Sequence, residues 1–140
     1  MFEMAPQLRR SDLDELDAAL GVDAVTVLSE CVSLSEFARV ERCDGEIVYM
    51  YGSASHWLGS DRGSVWMVGT DRMSECGLHF LRKSLTEVPE ITAHLRFVEN
   101  YCDARNLPSL RWLSWLGFTI EEATPWGVKG LPFHHFWKEN

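Results

Sequence analysis

The four cysteines, Cys31, Cys43, Cys76 and Cys102, form no CxxC pair, so neither a zinc knuckle nor a dithiol redox couple is signalled. No apolar run reaches the ~18 residues of a membrane-spanning helix. The first ten residues lack the apolar core of a secretory signal, so the expectation is reduced thiols inside a cell or in a particle assembled there. Basic residues are also few: 13 Lys plus Arg stand against 21 Asp plus Glu, a formal charge of −8. That balance disfavours binding of DNA or RNA phosphates by the surface as a whole. Internal repeats, low-complexity tracts and linkers are missing too. What is abundant is apolar and aromatic surface, 46% hydrophobic residues with six Trp, in a chain of 140 residues that fits one domain with its own core.

The periodicity alternates between helix and strand. Ser11 is placed to cap a helix with Asp14 three residues on, Leu13, Leu16 and Leu20 form its stripe, and Gly21 stops it. Asp23 caps a second helix with Val25, Leu28 and Val32 inward. Asp12, Asp14, Glu15, Asp17, Asp23 and Glu30 then read as the solvated face of this pair. From Phe37 the period becomes that of strands, and Asp44-Gly45 is a two-residue hairpin turn. A Gly/Ser loop over 52–62 leads to a third strand at 64–69. A helix is expected from about 70–74 to Ser84, with Leu78, Leu81 and Leu85 as its stripe, and a second one restarting at Val88-Pro89. A strand ends near 100–104. A helix then runs from Asn106 and Pro108 to Gly117, and strands follow at Phe118 and at 132–137, with a loop through Pro125, Gly127 and Gly130 between them.

This order resembles the layout of the GNAT (N-acetyltransferase) fold. Many of its members carry Asn-x-x-Ala-x-x-aromatic/aliphatic-Tyr-x-x-x-Gly-Phe, and Asn106, Ser109, Trp112, Leu113, Gly117 and Phe118 stand at those spacings. The resemblance implies a mixed α/β fold, a single domain over residues 1–140 with a mostly antiparallel central sheet flanked by helices. It also implies two departures. The motif's Tyr, which in many members protonates the departing coenzyme A thiolate, is replaced by Leu113, which has no proton to give. The family's phosphate cradle, (Gln/Arg)-x-x-Gly-x-(Gly/Ala), keeps only Gly77, while Asp71 and Glu75 set negative charge against a diphosphate and Arg72 offsets one of them. No catalytic residue and no cofactor is therefore assigned. If the protein is active, acetyl-CoA is the donor and Thr70, Arg72 and Gly77 are the candidates to hold it.

A narrower resemblance covers about residues 36–137. The run from Asn100 to Asn106, then Leu110-Arg-Trp-Leu-Ser-Trp-Leu-Gly-Phe, then Pro125-Trp-Gly-Val-Lys-Gly-Leu-Pro-Phe-His-His-Phe, resembles the internal virion protein A family of short-tailed bacteriophages. This implies a virion-associated or assembly role by docking onto portal, tail or internal core proteins. It also implies copies arranged as an oligomer or ring, located in the virion or the host cytoplasm. The competing hypothesis is a divergent acyl-coenzyme A-dependent N-acyltransferase acting on a host or phage target, with Tyr101 or His79 as proton donor. A third is an acidic inhibitor of a host defence protein. A cleft between the third meander strand and the next strand, with free backbone N–H groups over 70–77, separates the enzyme from the silent reading.

His134 and His135 are adjacent on a strand and point to opposite faces, so they do not grip one metal, and no metal site is assigned. No Gly-x-Ser-x-Gly elbow is present. Trp112 and Trp115 read as one core-facing cluster, and Arg96, Arg105 and Arg111 as an ion-paired face. Trp57 and Trp126 fall in loops and are the candidates for contact with a partner, Trp57 being either tucked under its loop or presented by it.

Overall fold

A computed structural model describes residues 3–140. The helices are α1 (Arg10–Leu20), α2 (Ala24–Leu34), α3 (Gly77–Thr92) and α4 (Leu107–Trp115). The strands are β1 (Phe37–Cys43), β2 (Glu46–Ser55), β3 (Arg62–Gly69), β4 (Phe97–Asp103), β5 (Thr119–Ile120), β6 (Thr124–Trp126) and β7 (Leu131–Glu139). One sheet runs β1-β2-β3-β4-β7-β5, with β6 also paired to β7. All of its pairings are antiparallel except β3–β4. This is the expected mixed α/β arrangement.

Local chemistry accounts for most boundaries. Asp23 accepts the Thr26 N–H at the start of α2, and Asn106 accepts the Ser109 N–H at the start of α4. Asp44 and Gly45 take φ of 51° and 81°, the turn that matches the twist of β1 and β2. The helices cover both faces of the sheet. Phe80 and Ile91 of α3 and Leu113 of α4 pack with Tyr49, Val98 and Phe136 on one side. Leu28 of α2 packs with Met4, Leu8, Ile47, Met50 and Val68 on the other.

Several expected elements differ. Ahead of α1 the chain adds a single bridge to the sheet, Leu8 to Thr70. The two helices expected over 70–97 are a short 3-10 turn, Asp71–Ser74, and one continuous α3 with Pro89 inside it. Proline removes one ladder hydrogen bond, yet the buried face of Phe80, Ser84 and Ile91 continues across it; Leu78 and Leu85 of the expected stripe are exposed. The Gly/Ser segment belongs to β2 as far as Ser55. A side chain at Gly52 would meet the Phe37 carbonyl at 2.4 Å and the Trp66 ring at 2.8 Å, so glycine there allows close strand packing rather than a loop. Helix α1 begins at Arg10 without a side-chain cap, and Ser11 lies inside its first turn.

Candidate functional site

Strands β3 and β4 pair in parallel through only three positions, Arg62 with Phe97, Gly63 with Val98 and Ser64 with Glu99. Past them the Asn100 side chain donates to the Val65 carbonyl at 2.9 Å, and the strands then part. A cavity of about 270 Å³ opens through the split, with Met67 and Val68 on the β3 side, Tyr101 and Cys102 on the β4 side, and Leu16 and Glu15 from α1.

Backbone groups inside a split sheet have no neighbouring strand and need other partners. Two carboxylates of α1 supply them. Asp12, only 5% exposed, accepts the Gly69 N–H at 2.7 Å and pairs with Arg9 at 2.9 Å. Glu15 accepts the Asp103 N–H at 3.2 Å and the Asn106 side-chain amide at 3.0 Å. Burial pushes the Glu15 carboxyl up to about 7, against which the Asn106 and Asp103 hydrogen bonds act only in part. Burial, and then the neighbouring Glu15, raise the Cys102 thiol well above its ordinary range. The expectation of a solvated acidic face is thus overturned for Asp12 and Glu15. The available signal was their three-residue spacing, which sets them on one side of α1 in adjacent turns.

At the end of β3, Thr70 is buried, with its N–H and its hydroxyl both engaged on Val48 and Ile47 carbonyls of β2. The segment Arg72-Met-Ser-Glu-Cys-Gly77 then has the family cradle's length. Arg72 stands at its first position, Gly77 at its last, and Glu75 replaces the middle glycine. Helix α3 begins at Gly77, Cys76 supplies no side-chain cap, and the space a Cβ at Gly77 would take is open. Arg72 pairs with Glu46 and lies 3.5 Å from Glu75, while its Nε is buried without a hydrogen-bond partner. An uncapped helix start, an open glycine and an orphaned guanidinium N–H fit a phosphate group. Asp71 and Glu75 oppose it. The helix start thus offers a phosphate group fewer contacts than the GNAT cradle that the sequence resembles.

On the α1 side of β4 and β7, His135 Nε2 is 2.7 Å from Glu99 and its Nδ1 is 3.1 Å from Glu121. Glu99 also faces Arg62 at 3.6 Å and His56 Nε2 at 3.7 Å. The same His56 nitrogen faces Ser64 Oγ at 3.3 Å, so Ser64, His56 and Glu99 do not form a relay through two ring nitrogens. Tyr101 stacks on Trp126, with centroids 4.2 Å apart and planes 7° apart, and lies 5.1 Å from the His135 ring. None of these groups except Tyr101 was singled out from the sequence as a proton carrier. They come from β3, β4, β7 and the segments next to them, which only the sheet order brings together. His134 is turned away, with Nδ1 2.7 Å from the Glu121 carbonyl. Among the described residues no group of three or more His, Cys, Asp or Glu could hold a metal ion.

Leu113 is buried in the core under α4. Trp112 donates to Ser84 Oγ at 3.1 Å, whereas Trp115 is 50% exposed, so the pair is not one core cluster. Helix α4 ends there, and three positions along its axis do not keep Trp115 on the buried side. His79 is exposed on α3 and 3.4 Å from Glu41, away from the split. Arg105 pairs with Asp103 at 2.7 Å. Trp57 is 63% exposed beside a fully exposed Leu58, presented by the turn between β2 and β3. Trp126 lies in strand β6 rather than in a loop, half-buried against Tyr101. No helix among the described residues is long and apolar enough to cross a membrane.

No family model matches the sequence, and no curated protein is similar to it. Solved structures are similar in fold. A GNAT-family acetyltransferase from Streptococcus pneumoniae superposes with a TM-score of 0.62 at 17% identity over 83% of this chain and 74% of its own. A protein from Salmonella typhimurium, described as an acetyltransferase and solved with its cofactor acetyl-CoA, gives 0.66 at 16% identity over 92% and 85%. An acetyltransferase from Bacillus subtilis in complex with CoA gives 0.64 at 10% identity over 94% and 93%. The fold is that of the GNAT acetyltransferases. This likeness carries the GNAT part of the resemblance and nothing of the phage part.

Proposed function

We propose that this protein is an acyl-coenzyme A-dependent N-acyltransferase. The observation that carries the reading is the split between β3 and β4, a cavity walled by Phe80 and Ser84 of α3 on one side and by Tyr101 and Trp126 on the other, with His135 and Glu99 beside Tyr101 on the same face of β4 and β7. The donor supplies an acyl thioester; a C–N bond forms as its C–S bond breaks, and the amine's proton ends on the sulfur. The first turn of α3 and Arg72 hold the donor's phosphates, the open edges of β3 and β4 bind the amides of its arm, and the cavity walls exclude water from the thioester. Glu99 and His135 are the groups placed to take the amine's proton, and Tyr101, on the same face and in the cavity wall, the group placed to pass one to the sulfur. Leu113 takes no part in proton transfer. Calorimetric titration with acetyl-coenzyme A is expected to show micromolar binding; no heat at millimolar ligand overturns the reading.

A second reading is a catalytically silent docking protein of a short-tailed phage particle, meeting portal, tail or internal core proteins. The observation favouring it is the Trp57–Leu58 tip, a large apolar pair held out into solvent, together with the absence of a proton donor at Leu113.

A further inference from the structure

We propose that α1 straps the donor cleft, with the Glu15 side chain releasably holding the hydrogen-bond donors that an entering acyl-donor arm must use. The inference rests on the acyltransferase reading and concerns how that cleft is controlled.

The split leaves the Gly69 N–H on β3 and the Asp103 N–H on β4 without a strand partner, and α1 closes both from two adjacent turns. Glu15 also holds the Asn106 amide at the start of α4. A ligand arm carrying amides that lies between β3 and β4 needs these same edge groups, so it and Glu15 exclude each other at Asp103 and Asn106. The helix itself is fastened at both ends: ahead of it the Arg9 N–H donates to the Gly69 carbonyl at 2.9 Å, Leu8 bridges Thr70, and Met4 and Leu8 are buried. At its C-terminal end the Ala19 carbonyl accepts the Val128 N–H at 3.0 Å, and Lys129 pairs with Asp17. There Gly127 approaches the Ala18 and Ala19 backbone so closely that a Cβ would lie 2.8 Å from it.

Glu15 itself has no cationic partner. Arg9 is engaged by Asp12 and Arg105 by Asp103, so the groups facing it are the acids Asp12 and Asp103, the Cys102 thiol and the Asn106 amide. A carboxylate buried among neutral donors and like charges is held less firmly than one in an ion pair. With α1 fixed at both ends, the Glu15 side chain is the part that yields to an entering arm.

The test is calorimetric titration of coenzyme A into the wild type, Glu15→Ala and Glu15→Gln, with thermal melting to confirm folding and amide exchange at Asp103 as a ligand-free readout. Removing the competitor raises the competent fraction and with it the apparent affinity. Glu15→Ala is expected to bind at least tenfold more tightly than the wild type and to expose the Asp103 amide. Glu15→Gln, which keeps one acceptor oxygen, falls between them and remains informative if the alanine variant does not fold. Equal affinity in all three folded proteins overturns the strap and leaves the acyltransferase reading standing. No binding by any of them overturns the acyltransferase reading itself, and the strap with it.

Discussion

Replacing Glu15 by Gln removes one buried titration and leaves the shape of the side chain unchanged, so the pair of proteins isolates what that proton does to stability. In the folded state the Glu15 carboxyl is raised from 4.5 to about 7, chiefly by burial. In the unfolded chain it returns to its ordinary value. Between these two values the folded protein holds a proton that the unfolded chain has released, so stability falls as pH rises. The contribution is complete below about pH 4.5 and lost above about 7. At ~1.4 kcal/mol for each tenfold change in proton affinity, that interval corresponds to about 3 kcal/mol. The assay is urea unfolding of both proteins at intervals from pH 5 to 8. Every other titrating group is common to both, so the difference between wild type and variant cancels it. The wild type is expected to lose most of that ~3 kcal/mol relative to Glu15→Gln across the range. A difference that stays constant with pH refutes the placement of an unpaired carboxyl in the split, and one that grows in the opposite direction shows a cation beside it.

Asp12→Ala removes the acceptor of the Gly69 N–H and the partner of Arg9. Leaving that buried donor unpaired is expected to cost about 1–3 kcal/mol, read by urea unfolding, and to speed amide exchange at Gly69. For the docking reading, mass spectrometry of purified phage particles encoding this chain is expected to find it among the particle proteins. Absence from the particles removes the structural role. If it is present, Trp57→Ser with Leu58→Ser reduces its recovery there without changing the melting temperature.

Local signals in the chain carried the fold a long way. Asp23, Asp44-Gly45, Asn106 and Gly117 each perform at their position the job their chemistry suggests, because caps and tight turns depend on neighbours one to three residues away. Reading Pro89 as a restart divides α3 in two, whereas the apolar face on either side of it continues into one core. Gly52 was read as loop for a similar reason: the need for glycine came from the Trp66 ring on the next strand, not from its own backbone. The site was less legible still. Leu113 and the altered cradle were visible as departures from a motif, but Glu99, His135, His56 and Arg62 meet only across β3, β4 and β7, with no local pattern to announce them. The acids of α1 were hidden by a sound default, since most acids on amphipathic helices face water.

That default fails here for a reason that links the fold to the proposed chemistry. A sheet that parts between β3 and β4 makes a slot for a ligand and, by the same step, strips two strand edges of their partners. Something must satisfy those edges when no ligand does. Apolar side chains close space but leave the N–H groups unpaired, and a cationic group repels them. A carboxylate on a helix that already crosses the opening satisfies them at little cost in packing. Asp12, held by Arg9, meets the need permanently at Gly69; Glu15, with no cation, meets it at Asp103 in a way that can be undone. Of the features that set this chain against acyl transfer, Leu113, Asp71 and Glu75 are built into α4 and the approach to α3, whereas Glu15 acts through a side chain without a cationic partner. Glu15 is therefore the one feature whose removal restores the donor cleft without rebuilding the core or the phosphate cradle.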